Sequence, residues 1–178
     1  ADYCYTKIKQ AKRQFVKGVS QLTQENLQDA IVEDLKRLFE PYRLTNSMGA
    51  ERVVNIYPQD LPIREDDEPS QDAPPEPYII VRLPAGELPA QDTAQTVEAV
   101  LVICVCDPDP NRQGYRDALH IVNTVVTHYG ANGVVGKRYV VQYPIRWATQ
   151  EEDTHPYYFA AVALTFEAPA IFKEVPET

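Results

Sequence analysis

Ala99 to Cys106 is an unbroken run of eight apolar residues, Ala-Val-Leu-Val-Ile-Cys-Val-Cys, halted by Asp107-Pro108-Asp109-Pro110-Asn111. A strand turns successive side chains to opposite faces. A run that is apolar at every position therefore has two faces to bury and belongs in the interior of a sheet. The same run is far short of the ~18 apolar residues that cross a bilayer as a helix, and no other segment reads as a membrane span. Extended upstream to Thr96, it predicts a central strand over Thr96–Cys106. The Asp-Pro-Asp-Pro segment stops it, because proline cannot donate to a sheet and aspartate favours turns.

The remaining elements are placed around that strand. Leu27, Ile31, Leu35 and Leu38, joined by Ala30 and Phe39, recur at helical spacing. Thr23 is in position to cap this helix, Leu22 and Leu27 to staple its start, and Pro41 to end it. Arg52–Tyr57, closed by Pro58, and Tyr78–Leu83 read as strands. A second helix is expected from about Asn111, with Tyr115, Leu119, Val122, Val126 and Tyr129 as its buried stripe, Ala118 and Val125 beside it, and Gly130 as its stop. Val134–Tyr143 and Tyr157–Phe166 complete the set as a hairpin through a loop near 148–156. This order predicts an α+β fold, a mostly antiparallel sheet of about five strands with helices packed on one face and the second helix as a crossover. The length of 178 residues suits one domain, here 21–172, with 1–20 as an appendage and 173–178 as a polar tail.

Charge is distributed unevenly. Residues 1–20 carry Lys7, Lys9, Lys12, Arg13 and Lys17 against one acid, Asp2, a net of +4 in a chain whose total is −9. Ile8, Ala11, Phe15, Val16 and Val19 recur there at near-helical spacing. Lys7, Lys9, Lys12, Arg13, Phe15 and Lys17 are therefore candidate partner-binding residues on a basic amphipathic segment. Between Pro58 and Pro89 lie eight of the fifteen prolines. Within that stretch Asp60, Glu65, Asp66, Asp67, Glu68, Asp72 and Glu76 face one base, Arg64. Such a composition buries too little apolar surface to offset chain entropy, so 60–76 reads as a long exposed acidic loop. The acidic total argues against nucleic-acid binding across the whole surface, since phosphate contacts need clustered Lys and Arg.

Motifs for chemistry are sparse. Cys104 and Cys106 fall on one face of the central strand and read as small core residues; with Cys4 they make an odd set, which suits a reducing compartment better than a disulfide framework. The seven glycines form no phosphate-binding loop. Glu151-Glu152-Asp153-Thr154-His155 is the best metal candidate by residue type, but consecutive residues in a turn converge poorly on one ion. His120 and His128 are eight apart on one helix, too far to share a ligand, and read as surface residues. Trp147 with Tyr143, Tyr157 and Tyr158 reads as sheet packing or an aromatic patch. No catalytic residue, metal site or cofactor emerges.

The order of elements resembles the tail terminator, or tail completion, proteins of tailed bacteriophages. The resemblance is carried by the amphipathic helix Leu22–Phe39, the strand end Ile56-Tyr57-Pro58 and a variable loop before Pro77-Tyr78-Ile79-Ile80-Val81. It continues through the long apolar strand Val97–Cys106, the helix Tyr115–Tyr129 and a closing hairpin, and covers 22–170. It implies a non-enzymatic virion protein without cofactors, assembled in the host cytoplasm into a homohexameric ring. That ring would cap the tail-tube protein, end tube growth and meet the head-connector protein, with DNA passing through its lumen without sequence recognition. Asp60, Glu65, Asp66, Asp67, Glu68 and Asp72 are then candidates to face the lumen or a neighbouring ring. Another head–tail connector or stopper is the alternative, and a small enzyme with a site at a subunit interface is a third class.

Overall fold

The computed structural model describes residues 24–62 and 74–170. Two helices and eight strands follow in the order α1 (Gln24–Phe39), β1 (Arg43–Thr45), β2 (Glu51–Val53), β3 (Asn55–Pro58), β4 (Tyr78–Glu87), β5 (Gln95–Cys106), α2 (Gly114–Ala131), β6 (Val134–Val135), β7 (Tyr139–Thr149) and β8 (Tyr157–Ala168). The fold is α+β. Six strands form one mixed sheet in the order β3-β4-β5-β8-β7-β6, and β1 and β2 form a separate hairpin. The sheet thus has one strand more than the five expected, and its β3–β4 pair is parallel.

The apolar run lies in β5, flanked by β4 and β8 over almost its whole length. Val97, Ala99, Leu101, Ile103 and Val105 point to the face that both helices cover, together with Ile79 and Val81 of β4 and Val162, Leu164 and Phe166 of β8. From α1 the same core receives Leu27, Ile31, Val32, Leu35 and Phe39. At roughly 1.5–3 kcal/mol for each fully buried large side chain, this face supplies most of the driving force for folding. The helices are joined to one another through His128 Nε2 and Asp34 Oδ2, 2.7 Å apart. A side-chain amide of α1, Gln28 Nε2, donates to the Val81 carbonyl at 2.8 Å and fixes the helix over β4.

Several expectations need correction. The segment 52–57 is not one strand. Arg52 pairs with Leu44 in the small hairpin, whereas Ile56 pairs with Ile79 in the main sheet, and the chain changes sheets at buried Val54. The buried stripe of α2 is Gly114, Ala118, Ile121, Val122, Val125 and Tyr129, so Tyr115 lies outside it and is 46% exposed. Gly130 sits inside α2, which ends at Ala131 with Asn132 as its cap. Val134–Tyr143 is split by a turn in which Gly136 and Lys137 both have positive φ and the Arg138 N–H donates to the Val135 carbonyl. Two left-handed residues are what a primed hairpin turn needs. At the end of the acidic stretch Glu76 is buried, not exposed.

Candidate functional site

A groove of about 490 Å3 opens on the helix side of the molecule, between the first turns of α2 and the loop joining β7 to β8. Its walls carry Tyr115 and Leu119 from α2, Trp147 from β7 and Tyr157 from the start of β8. Tyr115 is 46% exposed and Trp147 55%, a concentration of open aromatic surface, whereas the Tyr157 side chain is turned to Ser47 and also lines a cavity on the opposite face of the sheet. Aromatic side chains with one apolar face and a polar tip favour partner surfaces. The loop adds three exposed carboxylates, Glu151, Glu152 and Asp153.

Local structure holds this site in shape. At the end of β5, Asp107 Oδ1 accepts from the Asp109 N–H at 3.0 Å and Asp109 Oδ1 from the Asn111 N–H at 2.8 Å. These successive side-chain turns reverse the chain into α2. The Asp107 N–H donates to the Pro156 carbonyl, which ties that reversal to the opposite wall. On that wall Thr154 closes on Tyr157 through its hydroxyl, which donates to the Tyr157 carbonyl at 2.7 Å, and through the Tyr157 N–H at 2.9 Å. Arg112 pairs with Asp153 across the mouth. This hydrogen bond holds the Asp153 carboxyl below its ordinary value. Glu151 and Glu152 have no cation in ion-pair reach among the described residues. The Asp117 carboxyl, in the first turn of α2, is raised by burial and secondarily by the charge of Asp107.

A second cavity, about 400 Å3, lies on the opposite face of the sheet and is lined by Ser47, Leu61, Glu76, Tyr78, Cys104 and Phe159, among others. Glu76 Oε1 accepts from the Ser47 N–H at 3.3 Å. Burial pushes the Cys104 thiol up to about 12, against a hydrogen bond with Tyr78 that lowers it; the Cys106 thiol is also raised, by burial first. Both cysteines are buried and unpaired with each other. A thiol in this state is protonated at neutral pH and is a poor nucleophile. Among the described residues no group of three His, Cys, Asp or Glu side chains is placed to hold a metal ion.

The candidate residues Lys7, Lys9, Lys12, Arg13, Phe15 and Lys17 lie outside the described residues, as do Glu65, Asp66, Asp67, Glu68 and Asp72. Thr23, expected as a cap, is also outside them. Asp60 is described: it is exposed and lies 3.4 Å from the Arg82 guanidinium. Of Glu151–His155, the first four residues line the first groove, with Asp153 turned to Arg112, and His155 Nδ1 lies 3.4 Å from the Tyr158 hydroxyl. Of the four aromatics grouped by sequence, Trp147, Tyr157 and Tyr158 meet at the groove; Tyr143 is elsewhere and donates to the Gly130 carbonyl at 3.0 Å. His128, expected at the surface, is largely covered at its contact with Asp34. Tyr115 and Leu119 had been assigned to the core of α2. The four-residue step that joins them also joins Ala118 to Val122, so spacing alone could not select the right phase.

No described helix is long and apolar enough to cross a membrane. No family model matches the chain, and no curated protein matches it in sequence.

Proposed function

We propose that this chain is a structural subunit that works by self-assembly, as a ring at the head-proximal end of a phage tail that ends tube growth and joins the tail to the head connector. The observation that carries the reading is the sheet face turned away from the helices. Among the described residues, its Cys104 end carries a small cluster of its own, in which Tyr78, Ile80 and Cys104 are buried against Tyr57, Leu61, Val102 and Phe159. Beyond that cluster Val100 and Ala161 are partly open and Ala163 is exposed, flanked by Arg82, Arg146 and Glu98. An apolar centre rimmed by charges, on a region of the sheet that no second layer of described residues covers, is the pattern of a surface that a neighbour covers. A hexamer of the 20.2 kDa chain would have a mass of about 121 kDa. In such a ring the acidic stretch that begins at Asp60 faces the lumen or the next ring, where its charge repels DNA phosphates from the wall.

Light scattering with negative-stain electron microscopy tests this on the purified chain, alone and with tail-tube protein, because assembly follows mass action. Closed rings with an open centre are expected. Ala163→Glu, which puts a carboxylate at the exposed position of the open face, should leave circular dichroism unchanged and lower assembly at least tenfold, about 1.4 kcal/mol. A monomer under every condition would sink the proposal.

A further inference from the structure

The groove between α2 and the β7–β8 loop is acidic at its mouth and aromatic inside, and the same chain holds a segment of the opposite character. Residues 1–20 carry five bases, one acid and the apolar series Ile8, Phe15, Val19. We propose that the groove formed by Tyr115, Leu119 and Trp147 receives the basic N-terminal segment of a second copy of this chain. The inference deepens the self-assembly reading above and rests on it.

Complementarity supplies the first argument. Glu151 and Glu152 stand at the rim without a cation partner among the described residues, while Arg112 is already engaged by Asp153. The incoming Lys7, Lys9, Lys12, Arg13 and Lys17 meet uncompensated negative charge there, and Phe15 and Val19 find aromatic surface. Charge then orients and speeds the encounter, and apolar burial provides most of the affinity.

Reach decides which copy supplies the segment. α1 begins at Gln24, whose side-chain amide donates to Gln95 Oε1 at 3.1 Å, so it starts beside the first residue of β5. The groove lies toward the other end of the sheet. Trp147 stands opposite Val162, in register with Leu101, six residues along β5; Tyr157 is in register with Cys106, eleven residues along. At about 3.3 Å per residue these are roughly 20 and 36 Å from Gln95. Even a fully extended chain spans at most about 18 Å over the five residues from Gln24 to Val19, short of both positions, so Val19 does not reach the groove of its own subunit. A segment that leaves one end of the subunit and fits a groove toward the other end makes a head-to-tail contact. Contacts of that kind close into rings when the rotation between subunits permits.

Cross-linking of full-length chains tests the proposal. In a Cys4→Ser background, one preparation carries Phe15→Cys and a second carries Leu119→Cys. The two are mixed and treated with a short bismaleimide, and linked peptides are identified by mass spectrometry. A link between the two positions in the mixture can only join different chains, and this is the expected result. Its yield should fall at least about fivefold when Glu151→Lys and Glu152→Lys are added to the Leu119→Cys chain. It should also fall when ionic strength rises from about 0.1 to 1 M, which shortens the screening length from about 10 to 3 Å. No linkage in the mixture, or linkage only in a third preparation that carries both cysteines in one chain, overturns the inference. Light scattering on the same samples separates the two readings: rings without the cross-link refute only the docking, and a cross-linked assembly that is not a ring refutes only the ring.

Discussion

Among the described glycines, Gly114 leaves the least room for a side chain. It is the first residue of α2, and a Cβ there would stand 2.4 Å from Tyr158 Cε2 and 2.7 Å from Asp107 Cβ. A ring edge by itself can swing aside, but Asp107 Cβ is held close to the backbone of the turn that feeds the helix. Gly114→Ala gains up to about 1 kcal/mol of helix propensity. Overpacking of this kind costs roughly 1–3 kcal/mol, so the net effect is destabilising. A fall of a few degrees in the melting midpoint is expected, with part of it recovered when Tyr158→Ala is added. A midpoint that rises would show that the wall beside α2 yields freely.

Between elements, the contact of His128 with Asp34 joins the two helices across ninety-four residues of chain. Both side chains are about four-fifths covered, and Arg37 stands 3.9 Å from the same aspartate. A partly buried hydrogen bond to a charged group contributes about 1.5–3 kcal/mol. Asp34→Ala should therefore cost on the order of 2 kcal/mol in chemical denaturation. The double-mutant cycle with His128→Ala should show a coupling of about 1 kcal/mol. Additivity of the two substitutions would mean that the helices are held by their apolar faces alone.

For the whole molecule, the buried tyrosines and thiols set the response to alkali. Burial raises the hydroxyls of Tyr78, Tyr129, Tyr139 and Tyr157 and the thiols of Cys104 and Cys106 above their ordinary values. Unfolding returns each group to its ordinary value, so between the two values the unfolded chain holds fewer protons than the native one. Stability must then fall as pH rises from about 9 toward 12. The urea midpoint should drop steadily between about pH 8.5 and 10.5, and Tyr78→Phe should flatten the slope. A level midpoint across that range would contradict the burial of these groups. At neutral pH the same burial should leave Cys104 unmodified by iodoacetamide until the chain is unfolded.

The sequence by itself determined the features that depend on near neighbours. Ala99–Cys106 had to be central because both of its faces are apolar, and it is flanked on both sides in the sheet. The stripe Leu27–Ile31–Leu35 had to be one face of a helix, and Asp107–Asn111 had to be a break, since proline and aspartate act within a few residues of themselves. Tertiary structure decided what depends on partners remote in the chain. Whether Arg52 and Ile56 share a sheet is settled by Leu44 and Ile79, not by the strand character common to both. The phase of α2 is selected by Tyr158 and Phe166 beneath it, because a helix rich in Ala, Val, Leu and Ile offers adjacent apolar stripes of similar strength. Glu76 is buried because the Ser47 backbone on the neighbouring hairpin donates to it, a contact that no local pattern encodes. The groove has the same origin: Tyr115 and Trp147 lie far apart in the chain, and only the pairing of β7 with β8 beside α2 brings them to one surface.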